Sequence, residues 1–298
     1  MNKRIAVIIP HKGLGDIIFH YSFINSISKH HKKKIILFAN KSSKADQIYR
    51  NNKLEEKIKI MDLKRPNLLF YIFKIFQITV ILYSYKPDII YYTGNNNWHK
   101  ISFKLLSLFK SFELHYFTNK KKYIIDFLNY FLKRKKIKNL NNYEFKITNR
   151  NNTKFIKKIK SYKKPWVFLS IDTSEDQIRI PNKILERIIF KLKKKYKTIF
   201  INTNKKNKKK LNLYKDKVLV ETSNYNILEI NQILRNSQIF IGTESGPANL
   251  AAINKIKSYI FFSNKIKIES KLLPNKYLRK YFNIKNIEKN IKSLLNII

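Results

Sequence analysis

Short apolar runs bounded by polar turns alternate along this chain with longer segments in which apolar residues recur at helical spacing. The first run, residues 3–10, is almost continuously apolar, which is typical of a strand buried on both faces of a parallel sheet. A polar loop follows, then residues 17–29 predict a helix and residues 34–39 predict a second strand. This β-α-β order predicts parallel strands joined by a right-handed crossover.

The same alternation continues to the C-terminal end of the sequence. Further strands are predicted at residues 89–92, 166–171, 198–202, 218–221, 239–241 and 257–262. Further helices are predicted at residues 68–85, 99–109, 123–135, 181–195, 226–236, 248–253 and 284–298.

Residues 138–160 interrupt the alternation because they are rich in Asn and Lys. They predict a linker that contains one short strand at residues 143–147. Since the pattern restarts beyond them, we predict an α/β fold of two Rossmann-like domains, residues 1–150 and 151–298, facing a central cleft. A single long α/β domain is the alternative.

The composition supports folded domains and excludes several kinds of site. Of the 298 residues, 44% are hydrophobic and 14% aromatic, which excludes a globally disordered chain. The sequence has no cysteine, which excludes disulfides, thiolate metal sites and a cysteine nucleophile. Its six histidines are scattered without the spacing of a zinc site. We therefore predict neither a metal ion nor a cofactor.

The net charge of +44 comes from 63 Lys and Arg against 19 Asp and Glu. Two explanations are open: a cationic surface that works near nucleic acid, anionic lipid or phosphorylated glycolipid, or a general use of lysine as a surface residue. The lysines occur in every segment, which favours the second explanation. In either case we expect attraction to anionic surfaces. No nucleic-acid recognition module is evident, so no specific nucleic acid is predicted as a partner.

Residues 68–85 form a long apolar and aromatic segment that Lys74 and Gln77 interrupt. We predict a mostly buried helix that also contacts the membrane interface, with a full membrane span as the alternative. The apolar run at residues 5–10 is too short for a secretory signal. The predicted location is the cytoplasm, with peripheral contact to the inner face of the cytoplasmic membrane.

Residues 238–252, QIFIGTESGPANLAA, predict a strand, a tight polar turn and the start of a helix. Gly242 is expected to end the strand, Ser245 to cap the helix, and Pro247 to occupy its first turn, where a missing N–H costs nothing. Unpaired amides and the positive end of the helix dipole make such a turn suitable for binding an anion. An ordinary β-α connection is the alternative.

The loop after the first strand, HKGLGD, also contains glycine. Gly13 and Gly15 could begin a dinucleotide fingerprint, but Ile18 stands at the position of its third glycine and no acid ends the second strand. Asp16 lies at the predicted start of the next helix, where a carboxylate could deprotonate a substrate hydroxyl. The alternative is that Asp16 only caps its helix.

The segment GTESGPANLAA resembles the C-terminal signature of glycosyltransferase family 9, the heptosyltransferase family, which runs G-x-D-[ST]-G-x-x-H-L-A-A. Gly242, Ser245, Gly246 and the final Leu-Ala-Ala match, whereas Glu244 replaces Asp and Asn249 replaces His. The first strand and its x-x-G-D loop resemble the opening of the same family. The resemblance implies the two-domain GT-B fold over nearly the whole chain.

The resemblance also implies roles for individual residues. Asp16 is the expected general base, beside an acceptor-side loop that contains Lys12, Gly13 and Gly15. In the second domain the family has a polar loop that ends in a basic residue, often as K-x-W-P, and Ile178 stands here at the Lys position. The expected donor-binding residues are Thr173, Ser174, Arg179, Thr243, Glu244, Ser245, Gly246 and Asn249. A solvent-facing arginine is the alternative for Arg179.

The implied function is an inverting, metal-independent transfer of a heptose-like sugar from a nucleotide diphosphate donor. ADP-heptose is the candidate donor, and a lipopolysaccharide-type glycolipid or another saccharide is the candidate acceptor. The replacements at Asn249 and Ile178 keep open a catalytically inactive member that binds sugar nucleotides. The charge alone keeps open a protein that binds polyanions or nucleic acid.

Overall fold

A computed structural model of the chain describes residues 3–11, 13–40, 43–49, 55–61, 68–94, 97–116, 124–141, 153–171, 180–202, 218–222, 224–262, 279–283 and 286–298. The chain divides into two compact units, Met1–Lys146 and Ile147–Ile298. Each unit is an α/β domain with its own parallel sheet. The α/β fold with two Rossmann-like domains is therefore confirmed.

In the first unit, strands and helices alternate. The described strands are β1 (Ile5–Ile9), β2 (Ile35–Asn40), β3 (Glu55–Met61), β4 (Ile89–Tyr92) and β5 (Glu113–Tyr116). The described helices are α1 (Leu14–His31), α2 (Ala45–Tyr49), α3 (Leu68–Tyr85), α4 (Asn97–Ser107) and α5 (Ile124–Arg134).

These strands are parallel and lie in the order β3-β2-β1-β4-β5. The chain runs from β1 to β2 and β3 on one side, then returns to β4 on the other side of β1. The direction of winding therefore reverses between β1 and β4. At such a point the connecting loops diverge and leave a crevice at the carboxyl edge of the sheet, which is where α/β proteins bind ligands.

Helices cover both faces of this first sheet. Alternate residues of a strand point to opposite faces, so Tyr92 contacts Phe103 of α4 while Tyr91 contacts Phe131 of α5. Phe23 of α1 meets Phe131 edge to face at 5.3 Å. The central strands β1 and β4 are fully buried between these layers, as their continuous apolar runs predict.

The second unit repeats this plan. Its described strands are β6 (Trp166–Ser170), β7 (Thr198–Asn202), β8 (Leu219–Glu221), β9 (Ile239–Thr243), β10 (Lys257–Phe262) and β11 (Arg279–Asn283). Its described helices are α6 (Thr153–Lys160), α7 (Asn182–Lys193), α8 (Ile227–Asn236), α9 (Gly246–Ile253) and α10 (Ile287–Ile297).

The strands of the second sheet are parallel and lie in the order β11-β10-β9-β6-β7-β8, so the winding reverses between β6 and β9. α7 and α10 pack on one face, against side chains such as Val167 and Ile241. On the opposite face the rings of Phe168 and Phe240 stack at 6.1 Å. The second sheet thus has the same kind of winding reversal as the first.

The structure corrects the expected linker in one place. Residues 153–160 form α6, because Phe155 and Ile159 are buried on one side of an otherwise lysine-rich helix. The strand predicted at residues 143–147 and the expected domain boundary at residue 150 lie outside the described residues.

Strands β3, β5 and β11 and helix α2 are additions that the sequence did not predict. Among the described residues, no helix is both long and apolar enough to cross a membrane.

β9 approaches β6 closely at Gly242. A Cβ atom at this position would lie 2.5 Å from the backbone oxygen of Ser170 and 2.9 Å from its Cβ. The strand continues through Gly242 to Thr243, so the glycine does not end it as expected. Its function in the fold is to let two central strands pack side by side.

We expect Gly242→Ala to destabilise the second unit by about 1–3 kcal/mol, because the added methyl group meets backbone that cannot move without separating β6 from β9. Urea denaturation, with hydrogen exchange followed in β6 and β9, measures the change. Lys183→Ala, at an exposed position of α7, is the control and should alter the free energy of unfolding by less than about 0.5 kcal/mol. An unchanged stability of Gly242→Ala would show that the strands have room to separate.

Candidate functional site

The carboxyl edge of the first sheet carries the N-terminal glycine loop. The chain leaves β1 at Ile9, passes His11 and Gly13, and enters α1 at Leu14. The neighbouring strand β4 ends at Tyr92 and is followed by Thr93. Because β1 and β4 are adjacent and parallel, the loop and Thr93 lie at the same edge, where the winding reverses.

Asp16 is the third residue of α1, and its Oδ2 accepts a hydrogen bond of 3.3 Å from the Gly13 N–H. This is the reciprocal half of a capping box, since glycine has no side chain to complete the other half. Asp16 therefore does stabilise the start of its helix, as the alternative interpretation expected. A carboxylate has acceptor capacity beyond one such bond, so the cap does not occupy the whole group.

His20 links this helical turn to the end of β4. Its side chain is completely buried, with Nδ1 2.6 Å from the Asp16 carbonyl oxygen and Nε2 2.9 Å from the Thr93 hydroxyl. The ring also lies 5.5 Å from the ring of His11, whose Nε2 is 3.3 Å from the Thr93 carbonyl oxygen. The loop, the first turn of α1 and the end of β4 are thereby joined through one side chain.

The protonation of His20 follows from these contacts. A carbonyl oxygen can only accept, so Nδ1 donates to Asp16. The single Thr93 hydroxyl proton lies between two acceptors, Nε2 of the neutral ring at 2.9 Å and the Ile8 carbonyl at 3.2 Å. Burial, reinforced by the nearby His11, lowers the pKa of His20 to about 3. His20 is therefore neutral at physiological pH. Its role at this edge is structural, because it holds the first turn of α1 against the end of β4.

A second buried histidine lies behind the same edge. Burial lowers the pKa of His99, in the first turn of α4, to about 4. Its Nδ1 is 3.2 Å from the Tyr92 hydroxyl, and its Nε2 has no hydrogen-bond partner in the described part of the chain. Gly94 lies against the same hydroxyl, which would be 2.7 Å from an added Cβ. The core beneath the edge thus contains neutral, closely packed polar side chains.

The carboxyl edge of the second sheet carries the other motif. β9 ends at Thr243, which is fully buried, and α9 begins at Gly246, two residues earlier than predicted. Pro247 lies in the first turn as expected. Ser245 occupies the N-cap position, but its hydroxyl donates to the Thr243 carbonyl at 3.0 Å and makes no capping hydrogen bond. The expected serine cap is therefore wrong.

The turn between β9 and α9 is fixed at several points. The Glu244 N–H donates to the Phe261 carbonyl of β10 at 3.2 Å, and the Asn249 N–H donates to the Ser245 carbonyl at 3.2 Å. Glu244, Ser245 and Gly246 are partly exposed, whereas Asn249 is almost fully buried. The turn therefore presents a carboxylate, a hydroxyl and a helix N-terminus at the reversal between β6 and β9.

The predicted site residues fall into two groups and a remainder. Asp16, Gly13 and Gly15 lie at the first edge. The stretch from Thr243 to Asn249 lies at the second. Four predicted residues lie outside the described part of the chain: Lys12, Thr173, Ser174 and Arg179.

Sequence reasoning did not identify His20 or Thr93 as part of the first edge. One signal was present for each. His20 follows Asp16 by four residues, which places both on the same side of a helix, and Thr93 directly follows a predicted strand.

Comparison with known sequences gives no match: no family model matches the chain, and neither does a curated protein. Comparison with solved structures, in contrast, gives matches over nearly the whole chain. A glycosyltransferase family 9 protein from Veillonella parvula is similar with a TM-score of 0.75 at 12% identity, covering 100% of this chain and 91% of that one. ADP-heptose lipopolysaccharide heptosyltransferase II of E. coli is similar with a TM-score of 0.68 at 9% identity, covering 99% of both chains.

The same fold occurs outside the transferases. UDP-N-acetylglucosamine 2-epimerase of Methanocaldococcus jannaschii, in complex with UDP-N-acetylglucosamine and UDP, is similar with a TM-score of 0.56 at 13% identity, covering 98% of this chain and 91% of that one. At such identities the comparisons establish the fold. They include the family that the two sequence motifs resemble, so the resemblance extends from the motifs to the fold.

We expect acid to destabilise the first unit selectively as the pH falls from about 6.5 towards about 4. In the unfolded chain His20 and His99 bind protons below about pH 6.5, whereas in the fold they bind them only near pH 3 and pH 4. Stability is therefore complete above pH 6.5 and falls as the pH drops, by about 1.4 kcal/mol per pH unit for each histidine.

Hydrogen exchange of the full chain, corrected for intrinsic rates, measures this loss in each unit separately. All six histidines belong to the first unit, so the second unit is an internal control. Equal loss of protection in both units would contradict an origin in the buried histidines.

Proposed function

We propose that this protein is an inverting glycosyltransferase of the heptosyltransferase type, which transfers a sugar from a nucleotide diphosphate donor to a glycan acceptor without a metal ion. The observation that carries the proposal is the position of the two family-like motifs. Each lies at the carboxyl edge of its own Rossmann-like sheet, where the winding reverses and α/β proteins bind ligands. The similarity to family 9 structures over the whole chain supports it.

The second unit would bind the donor. The N-terminus of α9 offers amides and the positive end of a helix dipole to the diphosphate, and the Glu244 carboxylate would accept hydrogen bonds from sugar hydroxyls. Arg179, with the hydroxyls of Thr173 and Ser174, would neutralise and bind the phosphates. This cationic and amide environment would stabilise the departing nucleotide diphosphate. ADP-heptose is the first donor to test, because a heptosyltransferase of the same fold is named for it.

The first unit would present the acceptor. Asp16 would take the proton of the acceptor hydroxyl as it attacks the anomeric carbon, and inversion follows from a single displacement. Gly13 and Gly15 would let the acceptor approach the backbone, with Lys12 beside it. The acceptor class is a glycolipid or another saccharide, and the proposed location is the inner face of the cytoplasmic membrane.

Two other functions are tested by the same experiments. Asn249 stands where the family has His, which favours a member that binds sugar nucleotides without turnover. The fold is shared by an epimerase that binds a sugar nucleotide, but the family 9 signature at the turn favours transfer. A polyanion-binding function rests on charge alone and ranks last.

We expect Asp16→Asn to lower turnover by about 100-fold or more while leaving donor affinity within about 3-fold, because the amide cannot take a proton but preserves the shape of the turn. Release of nucleoside diphosphate from a panel of nucleotide sugars, with and without glycan acceptors, measures turnover, and calorimetry measures affinity. Asp126→Asn is the matched control, since Asp126 is also the third residue of a helix in the same unit.

Unchanged turnover in Asp16→Asn would remove Asp16 as the base. Donor binding by the wild-type protein without turnover across the panel would favour the inactive member. Strong binding to nucleic acid, with no response to nucleotide sugars, would favour the polyanion-binding function.

We expect Glu244→Gln to weaken binding of the nucleotide sugar by about 10-fold and to leave binding of the free nucleotide diphosphate unchanged. A hydrogen bond from a sugar hydroxyl to a carboxylate is stronger than one to a neutral amide, and the free nucleotide lacks that hydroxyl. Titration calorimetry with both ligands separates the two effects. Glu186→Gln, at an exposed position of α7, is the control. Equal losses for both ligands would place Glu244 at the nucleotide instead of the sugar.

A further inference from the structure

The first unit exposes an apolar surface formed by α3 and the turn that follows α4. Phe73, Leu108 and Phe109 are 78%, 75% and 69% exposed, which is unusual for side chains of this size on a folded domain. We call this surface the apolar platform. It consists of Ile72, Phe73, Phe76, Val80, Tyr83, Leu108 and Phe109. The rings of Tyr83 and Phe109 are 6.2 Å apart, which joins α3 and the turn after α4 into one surface.

The fold prevents the apolar platform from turning inward. The opposite side of α3 is already buried against the first sheet through Ile78 and Leu82. Ser102 of α4 donates to the Ile75 carbonyl at 3.2 Å, which holds the two helices close together. Since one side of α3 is buried in the core, the described residues leave the other side exposed.

The charged residues near the apolar platform indicate what kind of partner it binds. The described side chains between residues 68 and 112 include four lysines, Lys86, Lys100, Lys104 and Lys110, and one acid, Asp88. The Asp88 carboxylate is paired, accepting from the Arg4 N–H at 2.7 Å and from Lys110 Nζ at 3.0 Å. Lys86 and Lys104 are exposed beside the platform. An apolar surface with a cationic surround complements a layer that has an apolar interior and anionic head groups.

A second copy of this chain fits these observations poorly. At a net charge of +44 two copies repel each other, and the same lysines would face one another across the contact. An anionic bilayer satisfies both parts of the surface, because head groups pair with lysine while the aromatic side chains enter the acyl boundary.

We propose that the apolar platform docks the protein onto anionic lipid bilayers, with α3 lying in the plane of the interface. The inference deepens the proposed function and rests on its membrane location, but not on the transfer reaction. Its test needs neither donor nor acceptor, so it can fail while sugar transfer is confirmed.

The test compares binding to vesicles of equal parts phosphatidylglycerol and phosphatidylcholine by co-sedimentation. Removing two aromatic anchors in the double variant Phe73→Ser, Phe76→Ser is expected to weaken binding by about 100-fold, about 10-fold for each lost side chain. Phe190→Ser is the matched control: Phe190 is 66% exposed on a lysine-rich helix of the second unit. It should bind as the wild type does. Circular dichroism confirms that all variants are folded.

A second measurement reports insertion directly. Phe73→Trp fluorescence is expected to be quenched by lipids with brominated acyl chains, and Phe190→Trp fluorescence is not, after subtraction of the two native tryptophans. Vesicle binding that salt abolishes and that the double variant retains would overturn the proposal, since charge alone would then explain it. A wild-type dimer in sedimentation analysis that the double variant dissociates would also overturn it, because a second copy would then cover the platform.

Discussion

The hydrogen bonds of the buried His20 side chain hold the first turn of α1 against the end of β4. A fully buried imidazole is stable only in its neutral form, and its two nitrogens then need partners of opposite kind. The Asp16 carbonyl accepts from one nitrogen, and the Thr93 hydroxyl, which also reaches the Ile8 carbonyl, lies 2.9 Å from the other. The position of the Asp16 carboxylate therefore depends on the core of the first unit, and such support is what a preorganised site requires.

The second unit achieves a comparable result by close strand packing. Its turn starts where β9 ends, and β9 can lie beside β6 only because Gly242 has no side chain to meet Ser170. The Glu244 amide is then tied to β10 through the Phe261 carbonyl. In both units the motif lies at the carboxyl edge of the sheet, where the winding reverses. In both, a buried contact from the core fixes the position of the motif's polar side chains. The two motifs thus share a physical basis although their sequences differ.

The sequence predicts the central strands well but misses three of the four strands at sheet edges, and burial explains why the central strands are easier to predict. β1, β4, β6 and β9 are covered on both faces, so their apolar runs are nearly continuous. The missed strands β3, β5 and β11 all lie at sheet edges, as the correctly predicted β8 does, and each pairs with a neighbour on one side only in the described part of the chain. Their sequences, EEKIKIM, ELHY and RKYFN, contain charges that interrupt the pattern. Similarly, α6 was hidden by lysines that surround only two buried side chains.

The candidate site shows the same division between local and tertiary causes. The turn and Asp16 could be predicted because short motifs encode them, whereas the bond between His20 and Thr93 joins residues 73 positions apart. Gly13 belongs to the local sequence motif and also determines the space around the Asp16 carboxylate. A side chain at this N-cap would come within 2.9 Å of Asp16 Oδ2, so glycine leaves the carboxylate room, and the helix start relies on Asp16 instead of an N-cap side chain. Capping at Oδ2 and accepting a proton are thus compatible roles, because the cap fixes the direction of a group whose acceptor capacity exceeds one hydrogen bond.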